Sequence, residues 1–135
     1  MGCMPGRNTA QTAAAKTNTM DSTLPVSATT RMFMQELENE MKATKKEIRR
    51  FVPSARLVDK YNLSKRKRTY YIHGFIKTDG RFDELTFKKA GFSCGRSVGG
   101  IRTIQVPLKS FYIFLRQKGI TYFQIAEKLS HDNNN

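Results

Sequence analysis

The chain has 135 residues, with 24 lysines and arginines against 11 aspartates and glutamates, a formal net charge of +13. This length suits one domain. Two cysteines are too few for a disulfide-built scaffold, and no apolar run reaches the roughly 18 residues that a transmembrane helix needs. An imbalance this large favours an anionic partner, phosphate backbones first, because a small fold carrying it alone repels itself.

Residues 1–29 are rich in Thr, Ala, Ser, Asn and Gly and nearly lack large apolar side chains. They cannot bury enough surface to offset ordering, so a disordered tail is expected, and with Cys3 in it a Cys3–Cys94 disulfide is not. No secretory signal is expected. Arg7 and Lys16 are too few for a transit segment, and Gly6 stands where lipidation at Gly2 would want Ser or Thr.

Residues 30–52 read as an amphipathic helix, capped by Thr30 and stopped by Pro53. Met34, Leu37, Met41, Thr44, Ile48 and Phe51 step by 3 and 4 in a heptad-like seam. Glu36, Glu38 and Glu40 precede Lys42, Lys45, Lys46, Arg49 and Arg50, an order that suits the helix dipole. Such a stripe packs on its own domain, or docks on a partner or a second copy.

Residues 53–131 are expected to form a basic α+β domain. A loop over 53–68 ends in the run Lys65, Arg66, Lys67, Arg68. From Thr69 to Lys77 the period falls to two, with Tyr70, Ile72 and Ile76 on one side and Tyr71, His73 and Phe75 on the other. A hairpin turn at Thr78–Arg81 then leads into a return strand, Phe82–Lys89, with Leu85 and Phe87 inward. The segment 91–100, with Gly91, Gly95, Gly99 and Gly100, reads as a loop, and Ile101–Val106 as a third strand. Pro107 starts a helix over 107–118 with Leu108, Phe111, Tyr112 and Leu115 on one face. Gly119 stops it, and Thr121 with Gln124 forms a capping box for a last short helix.

The ionisable residues point away from catalysis. His131 falls in the C-terminal tail, and His73 sits among aromatics on a strand. No Cys/His spacing fits zinc, and no glycine pattern followed by Lys-Ser or Lys-Thr fits a phosphate loop. No enzyme, metal or cofactor is expected. Between Lys42 and Arg102, 17 cations face five acids. They interleave with rings, so that Lys65, Arg66, Lys67, Arg68, Tyr71, Phe75, Lys77, Arg81, Lys88, Lys89, Arg96 and Arg102 are the candidate nucleic-acid contacts. Rings stack on unpaired bases while cations track phosphates. Strand-borne cations suit single strands better than a duplex groove. The segment KGITYFQIAEKL resembles the first helix of a helix-turn-helix, but no recognition helix follows it.

Residues about 68–118 resemble the positive-cofactor-four family of single-stranded-DNA-binding transcriptional coactivators. GRFDELTF at 80–87, the loop with Gly95 and Arg96, and GIRTIQVPLKSFYIFLRQ at 100–117 carry the resemblance. It implies a sheet curled over single-stranded DNA and a homodimer, with Phe111, Tyr112 and Leu115 at the interface. The expected fold is a small antiparallel sheet packed by a C-terminal helix, joined to the N-terminal amphipathic helix. The expected function is sequence-independent binding of single-stranded DNA or RNA, DNA preferred, in transcription or replication, inside a cell, nucleus, nucleoid or virus and away from membranes. The alternative is a structural component of a virion or ribonucleoprotein docking through helix 30–52.

Overall fold

The structure, a computed structural model, describes residues 24–126. Expectations for residues 1–23, including Gly2 and Cys3, and for His131 lie outside the described residues. The architecture is α+β: one long helix, several short ones and an antiparallel sheet around one apolar cluster.

Residues 24–29, expected to belong to a disordered tail, are tied to the fold. Phe123 N–H donates to the Pro25 carbonyl (3.1 Å) and Ser27 N–H to the Phe123 carbonyl (3.2 Å), while Leu24 and Val26 pack against the core. Helix α1 (Ala28–Thr44) is capped by Ser27, not Thr30: the Ser27 hydroxyl accepts from Thr30 N–H at 3.1 Å. Thr30 is fully buried, and its Oγ1 accepts the Ile125 N–H at 2.8 Å, tying the helix start to the last strand.

The helix stops at Thr44, well short of Pro53. Lys45 turns left-handed (φ 58°), and Lys46 N–H donates back to the Met41 carbonyl, while Thr44 Oγ1 bonds the Glu40 carbonyl. The seam nevertheless marks burial correctly at Met34, Leu37 and Met41 on the helix and at Ile48 and Phe51 in the turn beyond it; Thr44 is exposed.

The expected loop at 53–68 contains a helix, α2 (Ala55–Lys60), and a strand, β1 (Ser64–Arg66). Two glutamates one turn apart on α1 hold α2. Glu40 accepts the N–H and hydroxyl of its N-cap Ser54 at 3.0 and 2.6 Å. Glu36 accepts from Arg56 (2.8 Å), Lys60 (2.9 Å) and the Tyr61 hydroxyl (2.8 Å).

Strand β2 (Thr69–Thr78) is the centre of the sheet. It pairs antiparallel with β1, with β4 (Ile101–Pro107) in the register Ile72↔Val106, and with β5 (Ile120–Ile125) in the register Ile76↔Phe123; β3 (Ser93–Cys94) adds to β4. Residues 82–89 are not a return strand. Asp83 accepts Leu85 N–H (3.1 Å) and the Thr86 hydroxyl (2.7 Å), starting helix α3 (Glu84–Lys89). Gly91 (φ 98°) ends it, with Phe92 N–H returning to the Phe87 carbonyl. Leu85 and Phe87, two apart, therefore lie on opposite sides: Leu85 is exposed and Phe87 buried. Gly99 and Gly100, both with positive φ, form the two-residue turn between Val98 and Ile101, whose backbones exchange hydrogen bonds of 2.9 and 3.1 Å.

The helix expected at 107–118 is a 3-10 turn (Leu108–Ser110) followed by one turn of α-helix, α4 (Phe111–Phe114). The capping box at Thr121 forms no helix, since Ile120–Ile125 is β5; its β-branched and aromatic side chains fit a pleated surface. Phe33, Phe87, Phe92, Phe111, Phe114 and Phe123 meet at centroid separations of 5.0–6.3 Å between neighbours in the core. Phe111, Tyr112 and Leu115 are buried within this single chain. The core uses the surface that the dimer expectation assigned to a second copy, and Ile113 alone on α4 faces outward. Burial, with a smaller contribution from Glu38, pushes the Tyr112 phenol up to about 12.

Burial works to raise the Glu36 carboxyl, but bonds from Lys60, Tyr61 and Arg56 outweigh it and set its pKa below the ordinary 4.5. Its folded value lies under its unfolded one, so its stabilisation is full above 4.5 and fades as pH falls through the lower folded value. Glu36→Gln should lower stability by about 1–2 kcal/mol at neutral pH. It should also flatten the loss of stability below about pH 5, read from urea midpoints across pH.

Candidate nucleic-acid interface

Alternation along the strands gives the sheet two unlike faces. Ile72, Gly74 and Ile76 of β2, Ile104 and Val106 of β4, and Phe123 and Ile125 of β5 point into the core. The opposite face carries Tyr71, His73, Phe75 and Lys77 of β2, with Thr103 and Gln124 flanking Phe75 and Ile101 and Tyr122 flanking Lys77. No described helix covers it: Phe75 is 44% exposed and Ile101 41%.

Cations lie over two of its rings. The Arg66 guanidinium stands 4.6 Å from the Tyr71 centroid, and the Lys77 ammonium 5.3 Å from that of Tyr122. Phe75 stands between two shallow depressions. One, of about 380 Å³, is bounded by His73, Ser93, Cys94, Thr103 and Gln105; the other, of about 300 Å³, by Lys77, Ile101, Tyr122 and Gln124. The five strands carry Lys65, Arg66, Lys77 and Arg102 and no carboxylate.

Ser64 Oγ and His73 Nε2 share a 2.7 Å hydrogen bond on this face. Burial first, and the neighbouring Arg66 second, lower the His73 pKa below 6.5. The neutral imidazole is therefore favoured at pH 7, on the same face as Phe75.

Of the candidate contacts, Arg66, Tyr71, Phe75 and Lys77 share the open face, and Lys67 and Arg68 form the β1–β2 turn at its border. The others go elsewhere. Lys65 lies over Tyr70, on the opposite side of β1. Arg81 is held by Asp79 at 2.9 Å and Lys88 by Glu84 at 3.0 Å, while Lys89 sits on α3 and Arg96 in the β3–β4 loop. Arg102 points to the core side, where it bonds Glu84 (3.2 Å) and the Gly95 carbonyl (3.1 Å) under the Phe82 ring, a structural tether for α3.

Phe82, Phe87 and Phe92 lie in or against the core. The segment 80–87 that carries the family resemblance forms a turn and a helix, not a strand. Tyr122 and Gln124 fall in the segment that the Thr121 and Gln124 capping box marks as helical; the alternation in ITYFQI is the signal for them. A comparison with protein-family models, curated proteins and solved structures finds no match to this chain.

Because Arg66 contributes to the lowered His73 pKa, Arg66→Ala should raise it part of the way toward 6.5, with burial holding it below that value. An NMR titration of the His73 ring carbons checks this; an unchanged value would separate the guanidinium from the imidazole.

Proposed function

We propose that the chain is a non-enzymatic protein that binds single-stranded DNA or RNA across the open face of its sheet, without strong sequence preference. The supporting observation is the half-exposed Phe75 between Tyr71 and Tyr122 on a face whose charged side chains, Arg66 and Lys77, are both cationic. Phe75 offers a free ring to a base, and the depressions on either side have room for neighbouring bases. Arg66 and Lys77 swing from their rings to phosphates, leaving Tyr71 and Tyr122 open to stacking. The surplus charge elsewhere draws the strand in from a distance.

A second reading has its own observation. Phe75, Ile101 and Val98 are exposed apolar residues near one end of the sheet, 44%, 41% and 74% exposed. An apolar centre with a polar rim also suits a protein partner. The buried apolar stripe of α1 is already used by the core, so docking through helix 30–52 gives way to docking through the sheet.

Fluorescence anisotropy with a labelled oligothymidine separates the two. Nucleic-acid binding predicts that Phe75→Ala weakens affinity by about 1–3 kcal/mol. It also predicts that Arg66→Gln and Lys77→Gln each reduce the slope of log affinity against log salt by about 0.7. Affinity that ignores Phe75 and follows total charge alone would reject this reading and favour the protein partner.

A further inference from the structure

A second basic surface lies away from the sheet face. Arg49 from the turn after α1, Arg68 from the β1–β2 turn and Lys109 from the 3-10 turn converge on one groove of about 200 Å³, completed by Phe51, Thr69, Tyr70 and Leu108. The three cations are far apart in sequence, so the fold, not a local run, brings them together.

No ion pair among the described residues competes for them. Arg56, Lys60, Arg81, Lys88 and Arg102 each have a carboxylate partner. No salt bridge involves Arg49, Arg68 or Lys109 among the described residues, and no carboxylate lines the groove. Phe51 and Leu108, 7% and 3% exposed, form its apolar part. Low-polarity walls strengthen the field of the cations above them.

We propose that this groove is a phosphate-binding site. Two guanidinium forks and an ammonium match the several oxygens and the double charge of a phosphate group better than a single carboxylate. The adjoining depression, lined by Lys45, Lys46, Arg49 and Arg50 with Glu47 as its acid, extends the positive field and leads anions toward it. The phosphate belongs either to a small free compound or to the end of a polynucleotide. The site uses residues different from those of the sheet face, so it stands whether or not that face binds bases.

The test titrates the full chain with sodium pyrophosphate, which carries no base to stack on the sheet face. Binding is followed by calorimetry and by the amide signals of Arg49, Arg68, Thr69, Tyr70 and Lys109. The groove variant is Arg49→Gln/Arg68→Gln/Lys109→Gln; the charge-matched control is Lys89→Gln/Arg96→Gln/Lys118→Gln, away from both depressions. All six side chains are exposed, so neither variant disturbs the core.

Saturable shifts at the groove amides are expected. Affinity should fall at least about tenfold in the groove variant and less than about threefold in the control. Equal losses in both variants, or shifts that never saturate, would overturn the proposal. Oligothymidines with 5′-phosphate and 5′-hydroxyl ends then name the source. A gain from the phosphate that the groove variant abolishes supports a polynucleotide end, and no gain alongside saturable pyrophosphate binding supports a free phosphate compound.

Discussion

One-sided burial is the constraint on which the rest of the structure depends. The aromatic cluster beneath the sheet takes residues from α1, α3, α4 and β5, so the apolar surfaces of these helices are turned to the same side of β2. No described element remains to cover the other side. A sheet residue is core or surface according to its parity alone, which is why Ile76 is fully buried while its neighbour Phe75 is not.

The same constraint sorts the charges. Cations that flank the core are neutralised by nearby acids: Glu36 holds Arg56 and Lys60, and Glu84 holds Lys88 and Arg102. These pairs clip α2 to α1 and α3 to β4. Among the described residues, the cations with no carboxylate partner include Arg66 and Lys77 on the open face and Arg49, Arg68 and Lys109 around the groove. A net charge of +13 is thus not a uniform coat.

Period two made β2 legible, and the buried set Met34, Leu37, Met41, Ile48 and Phe51 followed from the 3-4 spacing. What that spacing could not show is where the backbone leaves the helix. The stop is a left-handed Lys45, a conformation without the glycine that usually announces it. At 82–89, alternating apolar and polar residues hid the Asp83 cap and the Gly91 stop, both visible in the letters but outweighed by the pattern. At 120–125 the opposite happened: a capping-box spacing outweighed the β propensity of ITYFQI, and Tyr122 went unnoticed with it. The site was therefore half legible. The residues of β2 are legible in the letters; those that depend on β5 pairing beside them are not, because only the tertiary register puts Tyr122 opposite Lys77.

The most direct measurement is amide chemical-shift mapping of the chain with a short unlabelled oligothymidine. The account predicts that the largest changes fall on Tyr71–Lys77, Ile101–Gln105 and Tyr122–Gln124, with α1 and α3 unmoved. Changes concentrated on α3 and the 96–100 loop, with the Phe75 region silent, would contradict it.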